Sequence, residues 1–147
     1  MRIWTASPMS IKKFKDPIEF IKKIIIPNNI DFIVDVRGDK NTHGVAIAPE
    51  KIKLSAENKG IKFLYIGDYI GQSDKIFNKS KFYKNIDDEI HQKMIHAIIE
   101  ACKKYNVCII GSAKKYRDDI RYELAHYIKE LVKKEENDTL YIMHIGD

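Results

Sequence analysis

Apolar residues follow two patterns along the chain, and together these predict the secondary structure. Five short runs, several of them rich in β-branched residues, predict buried strands at residues 2–7, 31–37, 61–66, 107–110 and 139–145. Apolar positions at helical spacing predict helices over residues 17–26, 49–59, 87–104 and 117–134. The stretch 68–84 shows neither pattern and is predicted to be irregular, with one short helical turn at most.

The alternation of strands and helices predicts the fold class. Strand, helix and strand in succession form βαβ units with right-handed crossovers, which build a parallel sheet covered on both faces. We therefore expect a three-layer α/β fold with a mainly parallel five-stranded sheet and helices on both faces. The length of 147 residues fits one domain spanning 1–147.

Capping signals support two of the helix boundaries. Asp16 precedes Pro17, and Glu19 follows three residues after Asp16, which is typical of an N-cap with proline at the first helical position. Gly60 follows the helix predicted over 49–59 and suits the left-handed residue that ends many helices.

The composition narrows the class of protein. A hydrophobic fraction of 44% excludes a disordered chain, and no uncharged stretch is long enough to span a membrane. The net charge of +5 arises from twenty-two lysines and four arginines against twenty-one acidic residues. Lysine of this kind mainly keeps a protein soluble, whereas the planar guanidinium of arginine is the better partner for phosphate or carboxylate. With no secretory signal visible, we expect a cytoplasmic protein.

The topology predicts where a ligand would bind. In an open α/β sheet, ligands bind outside the carboxyl ends of the strands. Two of the four arginines, Arg37 and Arg121, fall on or near that edge. The other candidate ligand contacts there are Ser7, His43, Gly111, Ser112, Lys114 and His144.

Each candidate has a structural alternative. The turn from Gly111 to Lys115 offers backbone N–H groups, a hydroxyl and ammonium groups to an anion, although any strand-to-helix turn favours Gly and Ser. Asp35 and Arg37 share one strand face, so they would form either a ligand site or a structural ion pair. Arg121 lies in the first turn of a helix, where the dipole disfavours a cation, so it needs a carboxylate or a bound anion as partner.

The histidines and cysteines give weaker indications of a functional site than the arginines do. His43 in its loop is either a base, a phosphate contact or a solvated side chain, and His144 lies near the proposed edge. His91 and His96 are five residues apart and face different sides of a helix, and His126 is interpreted as a helix-surface residue. Cys102 and Cys108 form no CxxC motif and are expected to be reduced and buried. We therefore expect neither a metal nor a cofactor.

A second class of function is a nucleic-acid or protein-binding module. Aromatic residues are interleaved with lysines over residues 62–84, a pattern that supports binding of single-stranded nucleic acid. Acidic residues within and just after this stretch, such as Asp68 and Asp74, dilute the pattern. The oligomeric state is left open.

Several short motifs resemble the domain of unknown function 488 family. They are Val34-Asp35-Val36-Arg37, the segment from Gly60 to Gly67 that leads to Gly71, the strand, turn and helix with Arg121, and the closing His144-Ile145. The resemblance implies an α/β fold. The family's Gly-His-Ser motif falls on Thr5-Ala6-Ser7 and its Cys-His-Arg motif on Asp119-Ile120-Arg121, so Ser7 and Arg121 are the retained polar groups.

These observations predict a protein that binds a small anionic, phosphate-bearing ligand through Arg37, Arg121 and the turn after the fourth strand. Whether the chain is an enzyme is left open. If it is one, we expect hydrolase or transferase chemistry, with Asp35 or Asp119 as the base and the arginines stabilising developing charge.

Overall fold

The protein forms one five-stranded sheet in which every neighbouring pair of strands is parallel. The computed structural model describes residues 1–8, 16–38, 47–70, 77–113 and 115–146. The strands are β1 (Arg2–Ala6), β2 (Phe32–Asp35), β3 (Lys62–Tyr65), β4 (Val107–Ile110) and β5 (Tyr141–His144). Their order across the sheet is β3-β2-β4-β1-β5, which confirms the predicted α/β fold.

The helices connect these strands as the sequence predicts, with two differences. They are α1 (Pro17–Phe20), which continues as a π-helical segment (Ile21–Ile25), α2 (Pro49–Glu57), α3 (Gly67–Ile70), α4 (Lys79–Asn85), α5 (Glu89–Cys102) and α6 (Ile120–Glu136). The prediction of one short turn over 68–84 is wrong, because both α3 and α4 form there. A 3-10 turn (Tyr116–Asp118) precedes α6 and delays the start of that helix relative to the prediction.

Two apolar cores lie on opposite faces of the sheet and make the three layers. Val107 and Ile109 of β4 belong to the core shared with α5 and α6, while Cys108 and Ile110 belong to the core shared with α1 and α2. Every residue of β4 is buried, because this strand is central and covered on both faces. This explains why its sequence is continuously apolar.

Local signals at the helix ends act as predicted. The Asp16 carboxylate accepts a hydrogen bond from the Glu19 N–H at 2.8 Å, which caps α1. Gly60 has φ +74, the left-handed conformation that glycine adopts without a steric penalty. The N-cap at Asp16 and the left-handed Gly60 are therefore confirmed, whereas α2 ends at Glu57, two residues before the predicted end.

The two cysteines pack inside the protein. Cys102 and Cys108 are free thiols and both are buried, as predicted. Burial raises the pKa of the Cys102 thiol to about 12. It raises the pKa of the Cys108 thiol as well, so neither side chain is suited to act as a nucleophile.

The order of the strands makes the connecting loops diverge at the carboxyl end of β4. The chain leaves β1 and β2 towards α1 and α2 on one face, and it leaves β4 towards α6 on the other. Since β4 lies between β1 and β2, the connecting loops diverge at this point.

Among the described residues, none of the helices is both long and apolar enough to pass through a lipid bilayer.

We predict that Ile109→Ala destabilises the protein far more than Ile18→Ala. The Ile109 side chain is fully buried in β4, whereas Ile18 is 63% exposed on α1. Removing a buried isoleucine side chain leaves a cavity and costs about 2 to 5 kcal/mol. Urea denaturation of both variants measures the difference, and equal midpoints would contradict the placement of β4 at the centre of the sheet.

Candidate anion site at the carboxyl edge of the sheet

Two buried ion pairs lie at the carboxyl edge, and each joins an arginine to the aspartate two residues before it. Asp35 is the last residue of β2 and Arg37 lies just after it, while Asp119 is the N-cap residue of α6 and Arg121 lies in its first turn. Their exposed fractions are 0% and 2% for the first pair and 0% for both members of the second. Charges this deeply buried must be paired, because desolvation of each ion is costly.

In the first pair, each side-chain nitrogen of the arginine donates a hydrogen bond within the protein. Arg37 donates from Nε to Asp35 Oδ1 at 3.0 Å and from Nη2 to Asp35 Oδ2 at 2.8 Å, the bidentate geometry of a guanidinium on a carboxylate. Its third nitrogen, Nη1, donates to the Ile47 carbonyl oxygen at 2.9 Å. The Arg37 backbone N–H also donates to Asp35 Oδ1, at 3.0 Å. Each nitrogen of Arg37 thus has a protein acceptor, which is the structural alternative that the sequence left open.

Tyr65 and Gly67 close the edge of the sheet around this pair. The Tyr65 hydroxyl donates to the Arg37 carbonyl oxygen at 2.6 Å. Burial, followed by the nearby charge of Asp68, raises the pKa of Tyr65 to about 12, so the hydroxyl stays protonated. A Cβ at position 67 would lie 2.2 Å from the Arg37 carbonyl oxygen, so only glycine permits this approach.

Among the described residues, the hydrogen bonds of Arg121 in the second pair all come from one guanidinium nitrogen. Arg121 Nη1 donates to Asp119 Oδ2, and the same nitrogen donates to the Ala113 carbonyl oxygen at 2.7 Å. Asp119 Oδ2 also accepts from the Ala113 N–H at 3.1 Å. The pair is thereby attached to the turn after β4.

Three buried polar atoms of this pair lack a partner in the part of the chain that the structure describes. They are Arg121 Nε, Arg121 Nη2 and Asp119 Oδ1. The Nε and Nη2 atoms form one edge of the guanidinium, and the same edge of Arg37 holds the Asp35 carboxylate. Arg121 therefore presents an unused fork for two oxygen atoms.

Gly111 allows the Asp119 carboxylate to lie directly against the end of β4. A Cβ at position 111 would lie 2.0 Å from Asp119 Oδ2. Glycine is thus required here for close approach of a side chain rather than for an unusual backbone conformation. Ser112 and Ala113 continue the turn and are partly buried.

Burial controls the protonation of the Asp119 and Arg121 pair. It raises the pKa of the Asp119 carboxyl above its ordinary value, and the Arg121 guanidinium opposes the shift only in part. Burial also lowers the pKa of Arg121, against the opposing charge of Asp119. Both directions have the same cause, since the two groups have left water without a full set of hydrogen bonds.

His144 belongs to an aromatic cluster next to this site. Its Nδ1 lies 2.6 Å from Thr5 Oγ1, and its ring stacks on Tyr116 with centroids 4.2 Å apart. Tyr122 and His126 from α6 complete the cluster. Burial, with the neighbouring cations, lowers the pKa of His144 to about 4, so its imidazole is neutral near pH 7.

The structure brings together some of the residues proposed from the sequence and separates others. Asp119, Arg121, Gly111 and Ser112 lie around one turn, and Ser7 is buried just after β1. Asp35 and Arg37 form their own pair at the end of β2. His43 and Lys114 lie outside the described residues.

Three members of the His144 cluster were not predicted from the sequence. Thr5, Tyr116 and Tyr122 were not singled out, and His126 was interpreted as a helix-surface residue although it is partly buried against Tyr122. The spacing of four residues between Tyr122 and His126 places them on one helix face and was an available signal. The contact of Thr5 with His144 depends on the pairing of β1 with β5, which spacing does not reveal.

Comparisons with protein families, with curated proteins and with solved structures found no match to this chain. The fold and the geometry of the site are therefore the observations on which a function can be argued.

We predict that Arg37→Met strongly destabilises the protein. The substitution leaves the Asp35 carboxylate buried without its partner, and breaking a buried pair in this way costs about 3 to 5 kcal/mol. The double variant Asp35→Asn/Arg37→Met removes the uncompensated charge and should recover part of the loss. Urea denaturation measures both effects.

Lys23→Met is the matched control for this experiment. Lys23 pairs with Glu19 at 2.6 Å, but its side chain is 61% exposed. Exposed pairs contribute little to stability because water screens them. If Lys23→Met and Arg37→Met shifted the midpoint equally, the structural role of the Arg37 pair would be refuted.

Proposed function

We propose that the chain binds a small anionic, phosphate-bearing ligand at the carboxyl edge of its sheet, with Arg121 as the main contact. One observation carries the proposal. The Arg121 guanidinium is fully buried, and its Nε and Nη2 have no hydrogen-bond partner among the described residues. A buried charged donor without an acceptor costs more than the roughly 1 to 3 kcal/mol of a neutral one, and a bound anion would remove that cost.

The chemistry of the edge favours an oxyanion. Parallel N–H groups on one side of a guanidinium match two oxygens of a phosphate or a carboxylate. Arg37 provides the internal comparison, because the same two nitrogens bind the Asp35 oxygens at 3.0 and 2.8 Å. An oxyanion that occupies the Arg121 fork would complete the hydrogen bonding of the second pair as Asp35 completes that of Arg37.

Asp119 is the second proposed contact of the ligand, and its protonation state decides whether it donates or accepts a hydrogen bond. Its Oδ1 is also without a partner in the described part of the chain, and burial raises the pKa of its carboxyl. A protonated Asp119 donates a hydrogen bond to a ligand oxygen, and an ionised one accepts from a ligand hydroxyl. A phosphate monoester offers both kinds of group at once.

The location of the site supports the proposal. It lies at the end of β4, where loops lead to opposite faces of the sheet, which is where α/β proteins bind their ligands. Arg37 is left out of the ligand contacts that we propose, because each of its nitrogens has a protein acceptor. Its part in the proposal is to hold the neighbouring edge of the sheet.

If the chain is an enzyme, Asp119 is the better candidate for the base. Both oxygens of Asp35 accept from Arg37, whereas Asp119 Oδ1 has no hydrogen-bond partner among the described residues. The reaction would then be hydrolysis or transfer at the phosphate-bearing group, with Arg121 stabilising the developing charge. We also propose that the chain is a member of the domain of unknown function 488 family and that it is cytoplasmic. The two free buried cysteines are consistent with a cytoplasmic location.

Nucleic-acid binding is the second candidate, and the aromatic stretch gives it limited support. Phe77 and Phe82 pack against the core rather than facing a ligand, although Tyr69 and Tyr83 are 57% and 41% exposed. The Tyr83 hydroxyl is already bonded to Glu123 at 2.6 Å. A salt titration separates the candidates, because phosphate contacts to nucleic acid give a steep dependence of the binding constant on salt.

We predict that Arg121→Lys abolishes stabilisation by phosphate ligands while the fold is kept. Lysine retains the positive charge beside Asp119 but lacks the two parallel N–H groups of the fork. The measurement is the rise in Tm of wild-type and variant proteins with inorganic phosphate, a panel of nucleotides and a panel of sugar phosphates.

Arg117→Lys is the matched control. Arg117 is an exposed arginine only four residues before Arg121, so the substitution makes the same chemical change outside the proposed site. The ligand-induced rise in Tm should be unchanged in this variant. The proposal fails if no compound in the panels raises the Tm of the wild type, or if Arg121→Lys responds as the wild type does.

A further inference from the structure

Two imidazole rings from different elements point their Nε2 atoms at one another. His126 on α6 and His144 at the end of β5 have an Nε2 to Nε2 distance of 3.5 Å. Their ring planes differ by 28°. Both side chains are partly buried at the edge of the sheet.

Thr5 and the tyrosines hold His144 in this orientation. Thr5 Oγ1 contacts His144 Nδ1 at 2.6 Å across the paired strands β1 and β5. When Thr5 accepts the Nδ1–H, the lone pair of His144 is on Nε2 and faces His126. A second group that fixes the far nitrogen of an imidazole in this way is the usual partner of a metal-ligating histidine. Tyr116 stacks on the His144 ring at 5° and prevents it from turning.

The separation of the two nitrogens matches the spacing of two ligands on one metal ion. Zinc binds imidazole nitrogen at about 2.0 to 2.1 Å with tetrahedral angles, which places two such nitrogens roughly 3.3 to 3.4 Å apart. The observed 3.5 Å is close to this spacing. It is longer than the roughly 2.7 to 3.2 Å of an ordinary N–H hydrogen bond.

We propose that His126 and His144 form a binding site for a divalent transition metal ion of the zinc class. Imidazole ligands suit Zn²⁺, Ni²⁺ and Cu²⁺. The described residues contain no group of three or more metal-ligating side chains, so water supplies the remaining ligands. The site is distinct from the Arg121 fork and does not depend on the proposed anion binding.

Metal binding would fasten β5 to α6. Among the described strands β5 is at the edge and pairs with β1 alone, and α6 packs on the face of the sheet from which His144 extends. An ion held by both elements binds only the folded protein and therefore stabilises it. The proposed role is thus a metal-dependent fastening of the sheet edge beside the carboxyl end.

The test is titration of the untagged full chain with Zn²⁺ alone, followed by calorimetry and by thermal unfolding. We expect one ion per chain in the wild type and a rise in Tm of roughly 5 °C or more at a hundredfold excess over Kd. His126→Ala and His144→Ala should each weaken binding by tenfold or more. Either of these two variants alone suffices if the other fails to fold.

His96→Ala is the matched control. His96 is a helix histidine with Nε2 3.0 Å from Glu135 Oε2, so it offers an imidazole beside a carboxylate outside the proposed site. Zinc affinity should be unchanged in His96→Ala. The proposal is overturned if the wild type binds no zinc, if His126→Ala keeps the wild-type affinity, or if His96→Ala loses it.

Discussion

The carboxyl edge of the sheet depends on the need of a buried guanidinium for an anion. Two such groups lie there, and each takes its partner from the aspartate two residues earlier. Removing either aspartate would leave a buried charge with neither water nor a counter-ion. Each turn must therefore hold its own aspartate and arginine in contact. Gly67 and Gly111 complete the constraint, because each lets a polar group approach the backbone more closely than a Cβ would allow.

The same sequence spacing produces two different results because the local structures differ. Asp35 ends β2 and Arg37 lies two residues further along the chain, where residues two apart share a face, so carboxylate and guanidinium meet side by side. Asp119 and Arg121 span the start of a helix, where the chain turns and Nη1 is the guanidinium nitrogen that bonds the carboxylate. The unused edge that results carries the proposed function. The imidazole pair of His126 and His144 lies nearby and is the proposed metal-binding site.

Particular residues show how far sequence reasoning reaches. The continuous apolar run of β4 and the N-cap at Asp16 are local signals, and the elements formed as predicted. The prediction for residues 68–84 is wrong because α3 and α4 are short and have too few residues for a helical period to be recognised. In the site, Arg121 was singled out by its unfavourable place near a helix start, whereas Thr5 and His126 were missed because their contacts depend on which elements are neighbours.

The five strands, the four longer helical segments, the α/β class and the residues available at the carboxyl ends of the strands could be predicted from the sequence. These properties follow from periodicity and turn chemistry, which act over a few residues. Three outcomes become visible only in the folded chain: Asp35 and Ile47 accept from Arg37, Arg121 Nε and Nη2 have no partner among the described residues, and two histidines eighteen residues apart face one another. Those outcomes depend on burial and on the order of the strands, because a charge or an imidazole acquires its partners only when distant segments pack together.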